Sequence, residues 1–272
     1  MNQVDDWDDS PDPNEKPRDQ EIDLATISVL ELIESQPNRV FYSTEIETHL
    51  ERKHFHWITA KALLESSRAN DIKTIRQEIQ NKQVNFYAHS KNRYFRRDLN
   101  EKVKLLEKIY NPDFTHAVGV TAELMYDSAL AQNGFSIDAK NASSWNGKIW
   151  TDSRHNLDRI VSRDGISYGI EIKNTQNYIN RIELQKKLNM CEALGLKPLF
   201  ILRFAPKTYN FSIIRKGGFS LLFEQQIYPM GFVPLMKEVR EKLGLKVDSP
   251  RSIKDGDMQR LVNWHKSKMP KG

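Results

Sequence analysis

The chain has 272 residues, 39% of them hydrophobic, enough for one large or two ordinary domains, each with its own core. Its single cysteine, Cys191, excludes an internal disulfide and a cysteine-based zinc site, and no apolar run approaches the length of a membrane span. The net charge of +5 hides an asymmetry: residues 1–24 carry nine acids against Lys16 and Arg18, a local −7, which leaves +12 on the remainder. Within that remainder, residues 51–97 hold eleven Lys or Arg against four acids. Such a concentration suits a polyanionic partner and salt-sensitive binding, although lysine-rich solvated faces are common.

Residues 1–20 are acidic, contain proline and have almost no apolar content, so a disordered tail is expected. The start MNQVDDWDDSPDPNE is the opposite of a signal or transit peptide, and the expectation is a soluble, cytoplasmic protein. Residues 21–99 read as a first domain. LATISVLELIESQ has helical spacing, Ser43 or Thr44 can cap a short second helix carrying Ile46 and Leu50, and HWITAKALLESSRANDIKTIRQEI offers a third helical region. VNFYAHSKNRYFRRD reads as two strands around Ser90-Lys91-Asn92. Three helices followed by a hairpin is the order of a winged helix-turn-helix, whose third helix enters the major groove while the hairpin lies over the backbone. Lys61, Arg68, Lys73 and Arg76 on the helices, with Lys91, Arg93, Arg96 and Arg97 on the hairpin, are candidate DNA contacts. Trp57, Tyr94 and Phe95 are expected in the core.

Residues 100–116 suit a linking helix, and residues 117–245 a second domain. It opens with a helix bearing Ala122, Met125, Ala129 and Leu130 in a stripe and stopping at Asn133-Gly134. Phe135 to Ala139 is a first strand, which Lys148 to Asp152 extends or pairs with. After a central hairpin, a helix from about Tyr178 to Leu194 buries Ile182, Leu188, Cys191 and Leu194, Gly195 caps it, and KPLFILRFA is a buried strand, implying a parallel right-handed crossover. A further hairpin is expected around Lys216-Gly217-Gly218, and residues 246–272 read as a basic tail.

The central stretch HNLDRIVSRDGISYGIEIKNTQN holds the chemistry. Asp164-Gly165 is a strong type I′ signal that closes the hairpin on Arg163 and Ile166. That register carries Asp158 opposite Glu171, with Lys173 on the same face and Leu157, Val161, Tyr168, Ile170 and Ile172 on the other. Facing carboxylates roughly 5 Å apart at Cβ repel unless a positive charge sits between them. Oxygen ligands favour Mg²⁺ or Mn²⁺, and a lysine two residues on would offset phosphate charge. A solvated sheet face with Lys173 as a plain ion-pair partner fits the same residues.

Helix, three strands, helix, strand, with Asp158 on the second strand, Glu171-Ile172-Lys173 on the third and Glu123 in the first helix, resembles the PD-(D/E)xK, or restriction-endonuclease-like, nuclease superfamily over roughly residues 118–204. The resemblance implies an α/β fold with an αβββαβ core, a mixed sheet flanked by helices, behind the winged-helix domain. It also implies Asp158, Glu171 and the Ile172 carbonyl as metal ligands, Glu123 holding a second metal or an ordered water, and Lys173 positioning the nucleophilic water. Leu157 departs from the family's proline. Asn174 and Gln185 follow the motif where relatives carry auxiliary polar residues, the latter reading as a solvent-facing glutamine. His155 and Asn156 precede the aspartate, His155 as a loop hydrogen-bonder. The resulting expectation is a Mg²⁺-dependent DNA endonuclease, of restriction or defence, with a homodimer as the simplest way to cut both strands. Its alternatives are a structure-selective repair or recombination nuclease, a catalytically silent DNA-binding factor, and an RNA substrate, for which no dedicated motif exists.

Overall fold

The computed structural model describes residues 18–269. The expected acidic tail therefore lies outside the described residues as far as residue 17, while Arg18, Asp19 and Gln20 already belong to the first helix. The chain divides into two compact units, one running up to His116 and including Pro234–Lys246, the other comprising Ala117–Val233 and the segment from Val247 onward.

In the first unit, helix α1 (Arg18–Ser35) is followed by strand β1 (Val40–Tyr42), α2 (Ser43–Leu50), α3 (His56–Ser66), β2 (Ile72–Ile79), β3 (Lys82–His89) and α4 (Phe95–Ile109). The three strands form one antiparallel sheet in the order β1-β3-β2. Ala25, Val29 and Ile33 of α1 pack with Ile46, Ile58, Ala62 and Leu63 of α2 and α3 and with Phe41 and Tyr87 of the sheet.

Four expectations are corrected here. IKTIRQEI is a strand rather than helix, because Gln80 and Asn81 both adopt positive φ (51° and 61°) and fold it back on β3 as a hairpin. The hairpin thus sits one strand earlier than Ser90-Lys91-Asn92, and Arg96 and Arg97 stand on α4, which starts before the expected linking helix. Ser43 and Thr44 lie inside α2, since β1 runs straight into it and the Glu45 carboxylate reaches back to the Tyr42 N–H. Tyr94 is exposed, not core, while Trp57 and Phe95 are half-buried.

The second unit begins within α5 (Pro112–Gln132), after which come β4 (Ser136–Ala142), β5 (Ser144–Trp145), β6 (Lys148–Ile149), β7 (Leu157–Arg163), β8 (Ile166–Lys173), α6 (Arg181–Leu194), β9 (Lys197–Leu202), α7 (Lys207–Arg215), β10 (Phe219–Leu222) and β11 (Gln226–Ile227). Helix α8 (Val233–Leu243), expected in the second domain, clusters almost wholly with the first unit; β12 (Val247–Asp248) and α9 (Asp255–Lys266) complete the chain. The fold is mixed α/β. Its sheet runs β10-β9-β8-β7-β4, in which β4 pairs antiparallel with β7 and β7 with β8, while β8, β9 and β10 run parallel to one another.

Ala122, Tyr126 and Leu130 of α5 cover one face with Leu261 and Val262 of α9, against Val161, Tyr168, Ile170 and Ile201. Leu184, Leu188, Cys191 and Leu194 of α6, with Ile213 of α7, cover the other. Leu157 packs on the α6 side beside Cys191 rather than with Val161, and Ile182 points outward while Lys187 takes an inward place on α6. Asn146-Gly147 makes β5 and β6 a separate small hairpin, so Lys148 and Ile149 do not join β4. Residues 207–222 form a helix and a parallel strand instead of a hairpin: Gly217 (φ 72°) ends α7, and β10 pairs with β9. The described part of the basic tail, up to residue 269, carries β12 and α9. His265 is fully buried, with Nδ1 2.7 Å from the Tyr168 hydroxyl and Nε2 2.9 Å from Asp164, fastening α9 to the sheet.

Candidate active site

The β7–β8 hairpin turns at Asp164 (φ 50°) and Gly165 (φ 77°), the left-handed pair that a type I′ loop requires. Its ladder runs from Arg163 opposite Ile166 to Arg159 opposite Ile170. One step further, where Asp158 and Glu171 would face each other, a side chain takes over from the backbone: Asp158 Oδ2 accepts the Ile172 N–H at 2.7 Å. This bond fixes the aspartate at the start of β7.

Glu171 is only 3% exposed, and two lysines approach it. Lys187 Nζ from α6, itself 3% exposed, donates to Glu171 Oε2 and to the Asn156 carbonyl. Lys173 Nζ lies 3.6 Å from Glu171 Oε1 and 2.8 Å from Glu183 Oε1. Burial pushes the Glu171 carboxyl up to about 7, the neighbouring Asp158 charge adds to the rise, and Lys187 and Lys173 oppose it. Asp158 is likewise raised by burial, against the Ile172 N–H, which favours its charged form. Burial would lower Lys173, but Glu171 and Glu183 outweigh it and hold the ammonium above its ordinary value. Two carboxylates and two lysines thus share one end of the β7–β8 pair.

Glu123 is placed by α5 and is held from the sheet. Arg159, 3% exposed, donates through Nη2 to Glu123 Oε2 at 2.9 Å, through Nε to Asp127 Oδ1 at 2.7 Å and through Nη1 to the Asp158 carbonyl at 2.7 Å. Lys140 Nζ, 2.8 Å from Asp127, extends the network, and although burial would raise Asp127, the Arg159 and Lys140 bonds keep it below the usual carboxylate range. The Glu123 charge reaches Asp158, whose pKa it helps to raise. Among the described residues, no three or more of His, Cys, Asp and Glu converge into a metal-binding group.

Asn174 is buried and structural, donating to the Val118 and Ile227 carbonyls and accepting the Ile227 N–H. Gln185 is exposed and bonds Asn189, as its helical position implies. The His155 ring lies 2.9 Å from the Ser153 hydroxyl, a loop contact, and Cys191 is buried with its thiol pushed up to about 12 by burial. Sequence reasoning missed Lys187, Arg159, Asp127 and Glu183. A lysine at an inward helical position, three before Met190 and four before Cys191, was the one signal for Lys187.

In the first unit, Lys61 and Arg68 lie on or just after α3, Lys73 and Arg76 on β2, Lys91 and Arg93 in the loop after β3, and Arg96 and Arg97 on α4. All are exposed except Lys73, which is half-buried. Arg68 pairs with Glu65. No described helix is long and apolar enough to cross a membrane. The chain matches no protein family, and no curated protein or solved structure is measurably similar to it.

Proposed function

We propose that the second unit is a Mg²⁺-dependent phosphodiesterase of the PD-(D/E)xK type acting on DNA, and that the first unit binds that DNA as a winged helix. One observation carries the reading: Asp158 and the Glu171-Ile172-Lys173 tripeptide come together at one end of adjacent antiparallel strands, tied by the Asp158–Ile172 N–H bond. The order α5, β4, β7, β8, α6, β9, with β8 and β9 parallel, supports it. For the first unit, the support is the succession of three helices, a short strand and a hairpin, with eight basic residues on α3, β2, α4 and the loops beside them.

The donor set fits a hard divalent ion. Mg²⁺ is commonly held by one or two carboxylates with water and substrate phosphate completing the shell, so a cluster of three acids is not required. Asp158 and Glu171 each sit in surroundings that disfavour their charge, and each raises the other's pKa or is raised by a third acid. A cation shared between them removes that penalty. When bound, the ion acts as Lewis acid on the phosphoryl oxygens and lowers the pKa of attacking water.

The chain's own groups do the rest. Asp158 and Glu171 would hold the ion, with the Ile172 carbonyl beside them. Lys173 stands 29% exposed at the rim, where its ammonium orients water and offsets charge developing on the phosphate. Glu123 is engaged by Arg159 and acts through an ordered water rather than as a bare ligand. Lys187 holds Glu171 and the Asn156 carbonyl in place.

The test is cleavage of plasmid, single-stranded, branched and methylated DNA, and of RNA, with Mg²⁺ or Mn²⁺. Phosphodiester cleavage that disappears in Lys173→Ala and Glu171→Ala is expected. Cutting by these variants at the wild-type rate refutes the assignment, and DNA binding without turnover under every metal would leave a non-catalytic factor.

A further inference from the structure

We infer that Tyr94, set among Lys91, Arg93 and Arg96, is a stacking platform for an unpaired DNA base. The inference rests on the DNA-binding reading above and deepens it, naming as substrate class a strand with an unstacked base, such as an overhang, gap or branch. Tyr94 is 81% exposed, the largest exposure of any big apolar or aromatic side chain among the described residues. Single exposed rings are ordinary at a protein surface, and what sets Tyr94 apart is the pinned, acid-free loop that carries it.

Disorder does not explain that exposure, because the loop is pinned from beneath. His89, at the end of β3, accepts the Lys91 N–H on Nδ1 at 3.1 Å and the Asn92 N–H on its carbonyl at 2.9 Å. Asn92, 1% exposed, accepts the Tyr94 N–H on Oδ1 at 3.0 Å. The backbone is thus fixed by groups that point inward while Tyr94 points out. A rigid aromatic costs little further entropy on binding.

Charge selects the partner. Residues 90–97 hold four cations and no acid, and Lys91, Arg93 and Arg96 have no carboxylate partner among the described residues. Asp98, the first acid beyond them, is turned to the Val40 N–H at 2.7 Å. The neighbouring Phe95 ring is already taken by Lys73 Nζ at 4.9 Å and Arg96 at 5.9 Å from its centroid, whereas the Tyr94 ring has no ring or cation partner among the described residues. An available π-face inside an uncompensated basic loop matches the combination that single strands exploit: phosphates on the cations, a base on the ring. Continuous duplex hides its base faces in the stack and would use only the cations.

The experiment is fluorescence anisotropy with the full chain in EDTA, comparing a labelled blunt duplex with a duplex of equal charge bearing a single-stranded overhang. Wild type should prefer the overhang, and Tyr94→Ala should weaken that ligand by about 5- to 150-fold, the range for one base–aromatic stack, while leaving the blunt duplex unchanged. Tyr94→Trp should keep the preference, and Arg93→Gln should weaken both ligands alike. The thermal unfolding midpoint of Tyr94→Ala should equal wild type, which separates lost stacking from lost folding. Equal binding of the overhang by Tyr94→Ala and wild type, or no wild-type preference between the ligands, overturns the inference. Because EDTA removes cleavage, Tyr94-dependent binding survives failure of the nuclease reading. Conversely, Glu171-dependent cleavage of the overhang ligand, at protein concentrations below saturation, that Tyr94→Ala leaves at the wild-type rate sinks the platform alone.

Discussion

Replacing Lys187 by methionine tests the electrostatics of the candidate site most directly. Lys187 and Glu171 are each 3% exposed, so the substitution keeps the volume of the stem but leaves a buried carboxylate without its nearest cation. Breaking a buried pair from one side costs about 3–5 kcal/mol. The Asn156 carbonyl loses a donor as well, whereas Lys173 remains 3.6 Å from the other Glu171 oxygen. The remaining lysine moderates the loss, so about 3 kcal/mol is expected, a fall of roughly 6–12 °C in unfolding temperature. The loss must depend on pH. Burial already holds the Glu171 carboxyl up at about 7, and removal of Lys187 raises it further, so the penalty is larger at pH 8 and shrinks at pH 5, where the carboxyl is protonated. Urea unfolding at both values, with Glu171→Gln and the double variant closing a cycle, measures the coupling. A loss below about 1 kcal/mol at pH 8, or one equal at pH 5 and pH 8, would show that the buried pair is not formed.

Four further outcomes are expected. In the wild-type protein without metal, Glu171 has a folded pKa above its ordinary 4.5, so its contribution to stability is present below that value and is lost as pH rises to about 7; Mg²⁺ added above pH 7 should restore it, which calorimetry with and without EDTA will show. Metal affinity read by titration calorimetry should accordingly fall as pH drops through 7, since a proton then competes for Glu171. Arg159→Met leaves Asp127 and Glu123 without their shared guanidinium and should destabilise by about 3–5 kcal/mol, read by chemical denaturation. Gly218→Ala should cost about 1–3 kcal/mol, because a Cβ there would stand 2.4 Å from the Pro198 carbonyl oxygen, while Gly231→Ala, with nothing within 4 Å, should stay within about 0.5 kcal/mol of wild type in the same assay.

What could be read from the residues alone was whatever a local rule controls. Asp164-Gly165 admits one tight turn, and from that turn the whole β7–β8 register follows, as Gly195 marks the end of α6 and the apolar run before Arg203 marks β9. The hairpin at Gln80-Asn81 escaped because neither residue advertises positive φ as glycine does, and IKTIRQEI carries apolar residues three and four apart as well as polar alternation. Residues 207–222 failed differently: Gly217-Gly218 suits a helix stop as well as a turn, and the choice was made by pairing with β9, a partner distant in sequence. The chemical site divides along the same line. Asp158, Glu171 and Lys173 share two adjacent strands and were visible together, whereas Lys187 and Arg159 matter only because α6 and α5 bring them or their partners against those strands. The salt bridges that now hold Glu171 and Glu123 are therefore the part of the site that only tertiary packing defines, and they are also the cations a divalent ion has to compete with. A site whose acids are already held by protein cations stays folded without metal, so Mg²⁺ should add back only the stability that Glu171 loses above pH 7, while turnover should depend on the metal outright.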